Sequence, residues 1–199
     1  MTTAQRLRTA SGSMMLGPLL ISPKRFGDQR GFFFESWNQT LFDQLLIEDG
    51  QDSIEFVQDN HSRSSLGVLR GLHYQVSPHP QGKLVRCVVG EIYDVAVDLR
   101  VDSSTYGQWV GAHLSADNCQ QLWIPAGFAH GFLTLSEVAD VLYKATDFWA
   151  PDCERSIVWN DSQIAIDWPL ASMSTAISQP ILSAKDSQAP CLADQPCAF

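Results

Sequence analysis

The chain has 199 residues, 45% of them hydrophobic, and a net charge of −9. A length of this order suits one β-rich domain whose single core buries roughly 70% of the unfolded surface. The charge excludes non-specific binding to nucleic acid or to an anionic membrane as a main role, because both surfaces repel it. An anionic ligand must instead be held locally, and eight of the thirteen basic residues fall between Lys24 and Arg100.

In chain order, residues 1–13 are polar and are expected to form a mobile extension ahead of one domain spanning 14–199. The hydrophobic run at 14–21 is too short, and too broken by Gly17-Pro18, for a signal peptide or membrane span. Short apolar or alternating runs then recur between Gly, Pro, Asp, Asn and Ser, the rhythm of an all-β chain. Strands are predicted near 18–22, 32–36, 54–58, 68–75, 83–89, 92–99, 107–114, 121–124, 131–135, 140–147 and 156–159. Gly90-Glu91 reads as a hairpin turn joining two of them. One helix precedes the tail: Asn38 caps it, Leu41, Phe42, Leu45 and Leu46 form its apolar stripe, and Gly50 lies just past its end.

Many short strands with so few helices predict a double-sheet jelly roll, a fold whose interior can enclose a ligand cavity. Within 92–100, Asp94, Ala96, Asp98 and Arg100 alternate with Tyr93, Val95, Val97 and Leu99. That polar face is expected to meet water rather than a cavity. Residues 171–199 are rich in Ser, Ala, Gln and Pro and read by composition as a loosely held tail. Five cysteines with no Cys-x-x-Cys pair point to a reducing compartment, with the cytoplasm as the default.

The chemistry centres on Leu69-Arg-Gly-Leu-His-Tyr-Gln75, which sets a guanidinium and an imidazole three residues apart in a strand. His73 reads as a side chain aimed into a lined cavity. A hydrogen-bonded core histidine fits the same segment, and the segment alone leaves both readings open. A second histidine, His130, lies in Pro125-Ala-Gly-Phe-Ala-His-Gly-Phe132, a Pro-x-Gly-x-x-His pattern that resembles the second motif of the cupin superfamily. Gly67 precedes His73 by the spacing of the first cupin motif. That motif usually continues with a second histidine and a glutamate, whereas Gln75 stands here and 77–82 holds no carboxylate. Two histidines make a poor transition-metal site, so no metal is expected and both imidazoles are free for acid–base work.

Seven ordered blocks make the resemblance specific: Phe26-Gly-Asp-Gln-Arg-Gly-Phe-Phe-Phe-Glu35, Val57-Gln-Asp-Asn-His61, the His73 segment, Gln81-Gly-Lys-Leu-Val-Arg86, Gln121-Leu-Trp-Ile-Pro125 with 127–132, Leu142-Tyr-Lys144 and Leu182-Ser-Ala-Lys-Asp186. Over about 16–190 the chain resembles the dTDP-4-dehydrorhamnose 3,5-epimerases, cofactor-free, metal-independent cupins. The resemblance implies a cupin-type jelly roll, a dTDP-4-keto-6-deoxyhexose substrate, and a homodimer whose N-terminal residues help form the partner's site.

It also implies residue roles. His73 corresponds to the base, Asp186 to its carboxylate partner and Tyr143 to the proton donor, while Lys83 and His130 stand near the ketone oxygen. Arg30, Arg70 and Lys185 match positions facing the diphosphate or nearby groups. Glu35, Gln58, Asp59, Asn60 and Glu154 match other ligand contacts, and Trp149 takes the place of the tyrosine that usually stacks on thymine. The segments near 48–53 and 168–181 are longer than usual for the family. Three rivals remain at this stage: an enzyme that epimerises one carbon or moves the ketone, a non-catalytic nucleotide-sugar binder, and a metal-dependent cupin.

Overall fold

The computed structural model describes residues 1–171, 178–195 and 199. Two antiparallel sheets pack face to face. The strands are β1 (Thr3–Arg8), β2 (Met14–Ser22), β3 (Phe26–Asp28), β4 (Gly31–Phe33), β5 (Gln58–Ser65), β6 (Leu69–Gln75), β7 (Lys83–Val89), β8 (Glu91–Asp98), β9 (Trp109–Ser115), β10 (Gln121–Ile124), β11 (Phe128–Thr134), β12 (Val138–Ala145) and β13 (Glu154–Ser156); the helices are α1 (Gln39–Glu48) and α2 (Ala184–Ser187). One sheet runs β1-β2-β10-β7-β12-β5, the other β13-β6-β11-β8-β9, and β3-β4 forms a separate hairpin. This is the jelly roll that the sequence predicts.

Three apolar layers hold it together. Between the sheets lie Leu20, Val85, Leu122, Ile124 and Val141 from one side and Ile92, Ala96, Val110, Leu114 and Phe132 from the other. The outer face of the six-stranded sheet is covered by α1, whose Phe42, Leu45 and Leu46 pack on Leu84 and Trp123. Asn38 caps this helix by accepting the Leu41 N–H. The outer face of the five-stranded sheet is covered by chain from beyond β13, with Ile157, Ile164, Trp168 and Leu192 against Leu72, Val95, Val97 and Leu133. Covering β6, β8 and β11 on both faces leaves polar side chains such as Asp94, Asp98 and His130 inside the protein.

Several expectations change. Residues 1–13 hold β1, an edge strand paired with β2 and tied at its end by Arg6 to Asp49 (2.6 Å). In place of a strand at 54–58, Ile54 and Phe56 pack against the α1 cluster, and the strand itself is Gln58–Ser65, which contains no apolar residue. The strand expected at 32–36 is the β3-β4 hairpin. Gly90-Glu91 does not close a hairpin, because β7 and β8 belong to different sheets. Gly90 instead carries the chain between layers with φ +72°, and a Cβ there would lie 2.1 Å from the Val138 carbonyl oxygen. Asp94 and Asp98 are fully buried rather than solvated. Asp98 accepts from Arg100, Ser103 and Thr105, while Asp94 enters the site described below. The tail expectation for 171–199 lies partly outside the described residues, at 172–177 and 196–198. The described part is docked: Ile181 exchanges backbone bonds with Gly67 and Leu69, Val158 N–H donates to Pro190, and the buried Asp161 accepts the Leu192 N–H.

Candidate active site

The site is set by the pairing of β6 with β11, which puts His73 directly opposite His130. Cross-strand partners lie close enough to share one environment. Two glycines allow the approach. A Cβ on Gly71 would fall 2.6 Å from the Gly131 Cα, and one on Gly131 would fall 2.8 Å from the Arg70 carbonyl oxygen. Gly71, two residues before His73, and Gly131, next to His130, are therefore demanded by backbone contact.

His73 lines a cavity of about 420 Å³ with Arg70, Lys83, His130, Tyr143, Lys185 and Asp186. Its Nε2 lies 2.6 Å from Asp186 Oδ1. The tail delivers that carboxylate on α2, whose cap Ser183 accepts the Asp186 N–H through its hydroxyl. Burial alone would raise the Asp186 pKa, but hydrogen bonds from His73, Ser183 and the Gly71 backbone outweigh it and hold the carboxyl below its ordinary value. The neutral His73 tautomer that donates Nε2–H to this carboxylate carries its lone pair on Nδ1.

Three further groups surround this pair. Lys83 is 9% exposed, and burial lowers its pKa to about 8 despite the nearby carboxylates of Glu154 and Asp94. His130 bonds through Nε2 to Asp94 (2.7 Å), yet burial is stronger and lowers its pKa. The other Asp94 oxygen, Oδ2, is buried and has no hydrogen-bond partner among the described residues. Burial raises the Tyr143 pKa, which keeps its proton on at neutral pH.

An adjoining cavity of about 460 Å³ shares His73, Lys83 and Tyr143 with the first and continues to Gln58, Asn60, Gln75, Trp149 and Glu154. The two adjoin at His73, Lys83 and Tyr143 and form one cleft. Arg70 stands at the first end, held by Ser64 Oγ (3.0 Å) and the Arg63 carbonyl (3.2 Å). Lys185, beside Asp186 on α2, reaches across to Glu154 (2.6 Å). Burial would raise the Glu154 pKa, but hydrogen bonds from Lys185 and Trp149 help to lower it. The Trp149 indole is 59% exposed at the far end.

The cleft thus gathers eleven of the fourteen residues picked out from sequence: His73, Tyr143, Asp186, Lys83, His130, Arg70, Lys185, Gln58, Asn60, Trp149 and Glu154. Asp59 points the other way along β5 and pairs with Lys144 (3.0 Å), because successive strand residues alternate faces. Arg30 and Glu35 are also elsewhere in this chain. Arg30 is bound to Asp28 on the β3-β4 hairpin, and Glu35 accepts from Asn38. Sequence reasoning missed Asp94, whose signal was its place in the polar alternation of β8, and Ser62, which lines the first cavity and whose buried hydroxyl has no partner among the described residues. Among the described residues, no three His, Cys, Asp or Glu side chains gather as metal ligands, and no helix is long and apolar enough to cross a membrane. Gln75, at the position of the second cupin histidine, spends its amide on the main chain of neighbouring loops.

A family model described as dTDP-4-dehydrorhamnose 3,5-epimerase matches residues 13–194. A dTDP-4-dehydrorhamnose 3,5-epimerase from Pseudomonas aeruginosa is 58% identical over 179 residues, covering 90% of this chain and 93% of its own. The crystal structure of an epimerase from Legionella pneumophila in complex with dTDP-4-keto-L-rhamnose superposes with a TM-score of 0.84 at 47% identity, covering 97% of this chain and 95% of its own. A 3'-monoepimerase from Streptomyces bikiniensis in complex with dTDP-quinovose gives 0.78 at 33% identity, with coverage of 89% and 84%. By the extent of the family match and the identity to its members, this chain belongs to the dTDP-4-dehydrorhamnose 3,5-epimerase family of cupin-like isomerases.

Proposed function

We propose that the enzyme converts dTDP-4-dehydro-6-deoxy-D-glucose to dTDP-4-dehydro-L-rhamnose by proton transfer at carbons 3 and 5, as a step toward dTDP-L-rhamnose in the cytoplasm. His73 Nδ1 removes the proton next to the ketone, and Asp186 stabilises the imidazolium that forms. The electron pair moves into an enolate whose oxygen is met by the Lys83 ammonium and the His130 imidazole. Tyr143 returns a proton to the opposite face of the carbon. Arg70 and Lys185 hold the diphosphate, Trp149 stacks on thymine, and Gln58, Asn60 and Glu154 read polar groups of base and sugar. Arg30 and Glu35 act from the second subunit of a homodimer. The exposed Phe26, Phe32 and Phe33 beside Arg30 favour burial of that hairpin in an interface.

The observation that carries this reading is the 2.6 Å His73–Asp186 pair in one cavity with a protonated Tyr143 and a lysine of lowered pKa. The test is product NMR after turnover in deuterated water. Deuterium at both carbons with the L-rhamno product is expected; deuterium at neither would refute the reading. Deuterium retained at carbon 3 alone would favour a single-site epimerase, the reading to which the similarity with the 3'-monoepimerase lends weight.

A further inference from the structure

We propose that Gln75 is a positioning residue that holds the Trp149 platform and thereby sets affinity for the nucleotide base. The inference rests on the stacking role given to Trp149 above. Gln75 ends β6 and is 4% exposed. Its amide is satisfied entirely by the main chain of two loops. Nε2 donates to the His79 carbonyl (2.8 Å) and the Phe148 carbonyl (3.2 Å), while Oε1 accepts the Ala150 N–H (2.8 Å). Two of these three groups flank Trp149 directly. The third belongs to the loop after β6, so one side chain ties both loops to the strand that carries His73.

The Trp149 N–H donates to Gln58 Oε1 (3.0 Å). Every polar main-chain group from the Phe148 carbonyl to the Ala150 N–H that these side chains engage is therefore held by a glutamine amide. Trp149 is 59% exposed and its side chain meets Glu154, so the backbone beneath it is a main determinant of where the ring lies. An apolar residue at 75 would leave the Phe148 carbonyl and the Ala150 N–H to find water, and the loop would shift to let them do so. The phosphate-facing Arg70 lines the other cavity of the cleft, held by Ser64 and the Arg63 carbonyl away from that loop, and Lys185 meets the loop only through Glu154, which it pairs with directly.

The test compares Gln75→Met, Gln75→Glu and Trp149→Ala by calorimetry with dTDP and with inorganic pyrophosphate. For Gln75→Met the dTDP affinity falls about tenfold, equivalent to about 1.4 kcal/mol, while pyrophosphate binds as it does to the parent. Gln75→Glu keeps the acceptor for Ala150 but sets an anionic acceptor against the His79 and Phe148 carbonyls, so its dTDP affinity falls at least as far as that of Gln75→Met. In turnover, KM rises by the same factor and kcat stays within about twofold, the pattern of lost uniform binding. The Gln75→Met/Trp149→Ala double variant binds dTDP no more weakly than Trp149→Ala alone. An equal loss for pyrophosphate, or a fall in kcat, would overturn the proposal in favour of general collapse of the site. If Trp149→Ala weakens dTDP and Gln75→Met does not, the positioning role fails and the platform stands. If Trp149→Ala binds dTDP like the parent, the stacking role fails and takes the inference with it.

Discussion

Replacing Asp186 by Asn isolates the electrostatic half of the His73–Asp186 pair, since the amide has nearly the same shape and keeps the Asp186 N–H on Ser183. The carboxylate is 3% exposed and 2.6 Å from Nε2. A charge-assisted bond of that kind contributes about 1.5–3 kcal/mol, which at about 1.36 kcal/mol per decade is roughly 10- to 150-fold in rate. A second effect adds to it. The carboxamide can offer an N–H to Nε2, which favours the tautomer with the proton on Nδ1, the atom that must accept. Together these place the fall in kcat on the order of 10³- to 10⁴-fold. The assay is the initial rate of deuterium uptake into the substrate, with dTDP affinity measured alongside. Affinity should change little, because the near-isosteric amide leaves the α2 cap and Lys185 in place and Trp149, Gln58 and Asn60 line the adjoining cavity. The sign of the stability effect follows from linkage: the folded pKa lies below the ordinary 3.8, so the carboxylate stabilises the fold above that value and loses this as pH falls through the folded pKa. The Asn variant should show a flatter acid limb in stability. An exchange rate within about threefold of the parent would refute the base assignment, since no orienting carboxylate would then be needed.

What could be read from the sequence depended on whether apolar periodicity and function agreed at each segment. They agreed in α1, where the cap and stripe define the helix, and in β6, where alternation exposes the strand and its histidine together. They conflicted in β5. Its inner positions Gln58, Asn60 and Ser62 line the cleft, so the polarity of that lining removed the apolar signal of a strand. Asp94 was hidden for the same reason, because a polar alternation looks alike whether it faces water or a buried histidine. β1 is an edge strand held largely by backbone pairing, which leaves little trace in side chains. The docking of the tail rests on Asp161 accepting three backbone N–H groups and on backbone bonds at Ile181 and Pro190, none of which composition records. The family blocks picked out Arg30 and Glu35, which lie outside this chain's own cleft, bound to Asp28 and Asn38.

Asp161→Ala leaves the N–H groups of Leu192, Gln163 and Ile164 without their acceptor, and should cost about 2–4 kcal/mol. Urea denaturation would show the loss, and limited proteolysis should cut the tail sooner than in the parent. Gly71→Ala should destabilise by more than about 2 kcal/mol through contact with the Gly131 backbone; an unchanged melting temperature would contradict the close approach of β6 and β11. Mixing inactive His73→Ala with weakly active Arg30→Ala should restore activity if sites are shared across a dimer, because the mixed dimer then holds one intact site; absence of recovery after subunit exchange would count against shared sites. Lys83 links catalysis to stability most directly. Its pKa of about 8 means that it is charged at neutral pH and loses its proton above about 8, so kcat should fall on an alkaline limb centred there. The drop from 10.5 to about 8 corresponds to roughly 3 kcal/mol of destabilisation at neutral pH. Between those values the unfolded chain binds more protons than the folded one, so parent stability rises with pH through that window. Lys83→Met should therefore be more stable than the parent at pH 7, by up to about 3 kcal/mol, while kcat drops by about 10²-fold or more and the alkaline limb disappears. A variant that is slower but no more stable would mean that the buried ammonium is already compensated by its surroundings. Retention of the alkaline limb would mean that another group titrates there, and Lys83 would lose its place beside the enolate oxygen.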